Sequence, residues 1–179
     1  AASDVYKRQL MHPASNTKNY VQDKGEKLYR RSLYVYWKRT SPHPMMTLFD
    51  APNRESSCVK RSRSSTALQS LALLNETQRV EMARKLAERL IKSSPDDKSR
   101  LNQLYQILAC RPSLPLESKA CLDLLATMKT RYTSSPEEAK ALLSTGEAPV
   151  NSELNPAELA AWTQVATTVL ATDVALSLF

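Results

Sequence analysis

The chain has 179 residues, enough for one domain with a real core, because a chain of that length buries roughly 70% of the surface it exposes when unfolded. Only two glycines stand against ten prolines, which argues against a hairpin-rich β fold, whose tight turns need glycine at positive φ. No run of eighteen apolar residues marks a membrane-spanning helix, and the net charge of +7 sits in one block, residues 24–63, with ten basic and three acidic side chains against a sum of −1 for residues 64–179.

The first nine residues, "AASDVYKRQ", read as a translated sequencing-library adaptor. They are set aside from fold reasoning, residues 10–18 are expected to be a disordered or truncated start, and residues 19–179 a single helical domain. On this reading the chain is a C-terminal fragment of a longer protein. Glu26 to Thr40, "EKLYRRSLYVYWKRT", is predicted as a helix stopped by Ser41-Pro42-His43-Pro44, since proline removes a donor and pushes the preceding residue out of the helical region. The alternation in "SLYVYW" keeps a strand as the alternative.

A long polar loop follows, and Thr66 is then expected to cap "ALQSLALLN". Asn75 is expected to cap "ETQRVEMARKLAERLIKS", whose Val80, Ala83, Leu86, Ala87, Leu90 and Ile91 form one apolar stripe. Three later starts share a capping side chain before proline with acids close behind: Ser94 in "SPDD", Ser135 in "SPEE" and Asn155 in "NPAE". Asp97–Cys110 and Leu116–Tyr132 should pack as a helical hairpin through Leu101, Leu104, Tyr105 and Leu108 on one side and Ala120, Leu124, Leu125 and Met128 on the other. The last helix, Pro156 to about Leu178, offers Leu159, Trp162, Val165, Val169 and Leu176 to the core. The expected class is mainly α, an irregular helical domain with one long polar loop.

Three blocks carry a resemblance: residues 20–55, 63–75 and 142–170, the last reading "LLSTGEAPVNSELNPAELAAWTQVATTVL". In their order and spacing they resemble the C-terminal planctomycete-specific domain, of unknown function, found in multidomain surface proteins of planctomycete bacteria. The resemblance implies an extracytoplasmic location and partners among the upstream domains of the same polypeptide, including a cytochrome c-type segment that would hold haem. Three departures from the family pattern stand out: Ala67 replaces a proline at the first helical position, Ser57 stands where relatives often have cysteine, and "LATDVALSLF" replaces a more acidic end.

The chain itself has no Cys-x-x-Cys-His, so no cofactor is expected in it. His12 and His43 are isolated, and no metal site is expected. Cys110 and Cys121 flank a corner between two helices. They read first as small buried hydrophobes, with a bridge as the alternative, and Cys58 is left over.

The one dense group of side chains able to bind or act is Asp50, Arg54, Glu55, Arg61, Arg63, Thr66 and Gln69. The bland reading is that an irregular loop needs side-chain partners for its backbone, which Asp, Arg and Gln supply. The sharp reading is a glycan-active hydrolase with Asp50 and Glu55 as acid and base. Weak polyanion binding by the basic block stands between them, and without a recognisable motif nucleic acid is not favoured. The preferred function is a non-catalytic accessory or interaction domain of a larger surface or periplasmic protein, in company with cytochrome c-type modules and, through them, with polysaccharide processing; glycan or another surface protein would be its external partner.

Overall fold

The computed structural model describes residues 23–34, 37, 42–53 and 55–176. The expected adaptor and truncated start lie outside the described residues. Among the described residues there are eight α-helices, two short 3-10 helices and no strand, so the chain is mainly helical. Contacts divide it into two compact units, 1–69 and 70–179.

In the first unit, the predicted helix over Glu26–Thr40 does not form where it is described. Gly25–Tyr29 and Ser32–Tyr34 are separate 3-10 turns, broken at Arg30, whose ψ of 143° is extended. The alternative strand fails over the same residues. The cause is burial: Tyr29, Leu33 and Tyr34 are 56%, 74% and 67% exposed, and a short helix with no apolar face to bury has little to stabilise it. Residues 35, 36 and 38–40, the remainder of the prediction apart from Trp37, lie outside the described residues. Helix α1, Pro44–Leu48, starts on His43, whose Nδ1 accepts the Met45 N–H at 3.3 Å, with Pro44 pre-set for the first turn.

Helix α2, Ala67–Asn75, begins after Thr66 as expected. The second helix cap is corrected: Asn75 ends α2, its Nδ2 donating to Leu71 O at 2.8 Å, and Glu76 is the N-cap of α3, Thr77–Ser93, accepting from the Arg79 N–H. A carboxylate at that end is favoured by the helix dipole as well as by the bond. The next cap also moves. Ser94 closes α3, and Asp96 opens α4, Asp97–Ala109, by accepting from both the N–H and the hydroxyl of Ser99 at 2.9 Å. Helices α5, Pro115–Ser134, α6, Pro136–Leu143, and α7, Pro156–Leu170, each have proline in the first turn. Asn155 Oδ1 accepts from the Ala157 and Glu158 N–H groups, whereas Ser135 caps α6 without a side-chain bond. The last predicted helix is shorter than expected: α7 stops at Leu170, the four-residue α8, Asp173–Leu176, follows, and Leu176 is 42% exposed.

The second unit is organised around α7. Leu159, Ala160, Ala161, Trp162, Thr163, Val165, Ala166 and Val169 are all buried, so the helix is covered around most of its circumference, with only a narrow polar strip at the half-buried Gln164 and the exposed Thr168 left open. Helices α3, α5 and α6 pack against it. The α3 stripe of Val80, Ala83, Ala87 and Leu90 is buried, with Leu86 and Ile91 partly so. Helices α4 and α5 pack on each other as the predicted hairpin, bringing Leu101, Leu104 and Tyr105 together with Leu125 in the core. Arg100 closes the edge beside the indole: its guanidinium lies 5.9 Å from the Trp162 ring centroid and bonds Glu158 at 2.6 Å and Ser94 O at 2.5 Å.

Trp162→Ala removes the largest fully buried side chain. It should cost about 3–5 kcal/mol, read as a shift in the urea midpoint at unchanged slope.

Candidate functional site

The seven side chains singled out from sequence are distributed as follows. Arg54 lies outside the described residues. Asp50, Arg61, Thr66 and Gln69 meet in one network with Ser64. Arg63 is exposed and makes no hydrogen bond or ion pair to a described residue. Glu55 is exposed, its own N–H bonded to Asn53 Oδ1 at 3.1 Å.

The network starts where α1 ends. Asp50 has φ of 55°, a left-handed conformation that Asp tolerates better than most residues, and it turns the chain away from the helix. Arg61 then returns across the turn, its Nε donating to Asp50 O at 2.9 Å and its second terminal nitrogen to Phe49 O at 2.5 Å. The Asp50 carboxylate does not pair with that guanidinium; its Oδ2 accepts from the Ser64 N–H at 2.8 Å and the Ser64 hydroxyl at 2.6 Å. Gln69, 7% exposed, donates to Leu48 O at 2.8 Å and to Ser64 Oγ at 2.9 Å. Its carbonyl oxygen accepts the Thr66 N–H at 3.0 Å while Thr66 Oγ1 accepts the Gln69 N–H at 3.2 Å. That reciprocal pair is a capping box.

The arrangement clasps both ends of the segment between Asp50 and Ser64, and all of its bonds except the two at the Ser64 hydroxyl involve backbone. The two Ser64 bonds hold the Asp50 carboxyl below its ordinary value of 3.8, with a smaller contribution from the Arg61 charge. An acid so placed is ionised at neutral pH and is a poor proton donor or base there.

Sequence reading missed a second polar system, on α3. Glu81, Arg84, Lys85 and Glu88 follow the spacing of one helix face, and Glu81, Arg84 and Glu88 are 4%, 1% and 8% exposed. They hold the irregular stretch between α6 and α7. Arg84 donates to Ala148 O at 2.7 Å and Pro149 O at 3.2 Å, and Lys85 to Pro149 O at 2.6 Å. Glu81 accepts the Glu147 N–H at 2.6 Å and Glu88 the Asn151 N–H at 3.4 Å. Gly146, at φ of 95°, passes so close that a Cβ would collide with the Glu81 carboxylate. The signal was available in principle: residues 144–155 lack any helical pattern, so their backbone groups had to be met by side chains elsewhere.

The cysteines are unbridged. Cys58 and Cys110 are exposed and Cys121 is buried, its sulfur 3.8 Å from the Tyr105 hydroxyl. Burial pushes the Cys121 thiol up and the Tyr105 phenol up with it, so neither is ionised near neutrality. The corner between α4 and α5 is fixed instead by Arg111, which binds both Glu117 oxygens at 2.8 and 2.7 Å, while Glu117 also accepts the Leu114 N–H.

The Asp50 clasp has a defined acid response. Its folded value is depressed, so its contribution to stability is present above the ordinary carboxylate value of 3.8 and disappears as pH falls through the lower folded one. Protection of the Ser64 amide from hydrogen exchange should persist to below pH 3.8. Asp50→Asn should weaken that protection at every pH, and unchanged protection in the variant would show that the bond holds nothing.

Residues 2–125 match the family described as PSD1, a protein of unknown function (DUF1553). No curated protein and no solved structure matches the chain. With more than half of its length matched, the chain belongs to this family of unknown function.

Proposed function

We propose that the chain is a non-catalytic accessory or interaction domain of a larger extracytoplasmic protein, serving upstream domains of the same polypeptide. The observation that carries this reading is the inward use of the clasp. Asp50 is spent on Ser64, Arg61 on two carbonyl oxygens and Gln69 on Leu48 O and Ser64. A site for acid–base catalysis needs one group able to exchange a proton near the working pH, and Asp50 is held away from that condition. The resemblance to a planctomycete surface-protein domain supports the partners: a cytochrome c-type module upstream, which would carry the haem, and through it polysaccharide processing.

Two measurements separate this reading from a glycan hydrolase. Incubated with neutral and sulfated polysaccharides, the native chain should release no reducing ends. Appended to the upstream domains, it should protect them from proteolysis without changing their haem content. Sugar release lost in Glu55→Gln at an unchanged melting temperature would overturn the proposal.

A further inference from the structure

We infer that the outer face of α3 carries an oxyanion-binding site for sulfate or phosphate, as a free ion or as an ester on a larger molecule. The site is separate from the Asp50 clasp and does not depend on the accessory-domain reading. Lys85, Glu88, Arg89, Lys92 and Ser93 line a shallow open hollow of about 450 Å³. Lys85, Arg89 and Lys92 follow one another at helical spacings of four and three residues, so their side chains rise from the same face and converge.

The one carboxylate lining the hollow is already committed. Glu88 Oε1 takes Arg84 at 3.3 Å and the Asn151 N–H, and Oε2 takes Lys85 at 2.9 Å. Arg89 is exposed and makes no hydrogen bond or ion pair to a described residue. Lys92 has one carboxylate contact, Glu153 at 3.7 Å, with the two side chains 54% and 78% exposed. Such a pair contributes little and opens readily.

The lining of the hollow thus carries three cations, Lys85, Arg89 and Lys92, against one carboxylate, Glu88, whereas residues 64–179 as a whole sum to −1. A local excess of one sign in a concavity focuses the field on an incoming counter-ion. The chemistry suits a tetrahedral oxyanion: the Arg89 guanidinium offers two parallel donors to adjacent oxygens, and the lysine ammonium groups add point charges from either side. Glu81, Arg84 and Lys85 anchor the strap at Glu147–Pro149, which fixes the side of the hollow from which Lys85 approaches.

The test is a titration of the native chain with sodium sulfate and with sodium phosphate, at ionic strength held constant with chloride. Backbone amides of residues 89–93 and the Arg89 side-chain N–H are followed by NMR. Saturable shifts are expected, weakened about tenfold or more in Arg89→Gln, as for loss of a charge-assisted bond, less in Lys92→Gln, and unchanged in Arg63→Gln. All three substituted residues are exposed, so the fold should be retained, checked by the melting temperature. A parallel titration with glucose 6-sulfate distinguishes the sources: saturation by the ester alone assigns an esterified ligand, and equal saturation by inorganic sulfate assigns the free ion. Shifts that grow linearly in both arms, or saturation identical in native, Arg89→Gln and Lys92→Gln chains, would overturn the site.

Discussion

The enclosure of α7 is the constraint on which the second unit depends. A helix with Leu159, Trp162, Val165 and Val169 buried together with Ala160, Ala161 and Ala166 leaves only the narrow strip at Gln164 and Thr168 for water. Its small residues let neighbouring helices approach closely, and its large ones fill the spaces between them. Each large side chain so buried contributes roughly 1.5–3 kcal/mol relative to exposure, and three helices share the gain because α3, α5 and α6 all pack on it. Thr163 and Thr167 can be tolerated there because their hydroxyls donate to Leu159 O and Thr163 O, one turn back at 2.7 and 2.8 Å.

Once the helices are committed to that core, the irregular segments must solve a different problem: every buried backbone polar group needs a partner. Both units meet it with charged or amide side chains aimed at backbone. In the first, Arg61 and Gln69 serve the carbonyl groups of Leu48, Phe49 and Asp50. In the second, Arg84 and Lys85 serve Ala148 and Pro149 while Glu81 and Glu88 serve the amides of Glu147 and Asn151. Charge in this chain is therefore structural material as much as surface decoration. A charged side chain with its bonds turned onto its own fold is not available for chemistry, whereas Arg89, on the same helix as Arg84, is not so used.

How much of this was legible in the sequence follows from the range of each interaction. Helix α3 could be read because Val80, Ala83, Ala87 and Leu90 repeat at helical period within one window. The Thr66–Gln69 box is local, and Thr66 could be placed as the cap from its position before "ALQSLALLN", without the reciprocal bond from Gln69. Ser94 was misassigned because a serine before proline looks like a cap, while the carboxylate of Asp96, two residues on, reaches the free amide of the first turn. The helix expected from Glu26 failed for another reason: periodicity reports which residues share a face, not whether anything lies opposite it, and Tyr29 and Leu33 remain exposed. The clasp joins residues 14 apart and the strap residues 64 to 66 apart. No local pattern carries pairings of that range, so the loop cluster and its service to backbone could be read as one of the alternatives while the individual pairings could not.

The same long-range logic separates the matched family segment from the folded unit. The match ends at residue 125, inside α5, whose bounds are Pro115–Ser134, and at a leucine that is 2% exposed. Helix α7 lies wholly beyond it. Without α7, the stripe of α3 and the inner face of α5 would lose the surface they pack on. The amides that satisfy Glu81 and Glu88 also belong to residues past the match. Taking away the partners of buried carboxylates costs more than never having built the network, because the remaining charge is left desolvated and unpaired. The physical unit containing the end of the matched segment therefore extends through Leu170. The third resemblance block, residues 142–170, is the part of the chain that supplies both the central helix and the strap.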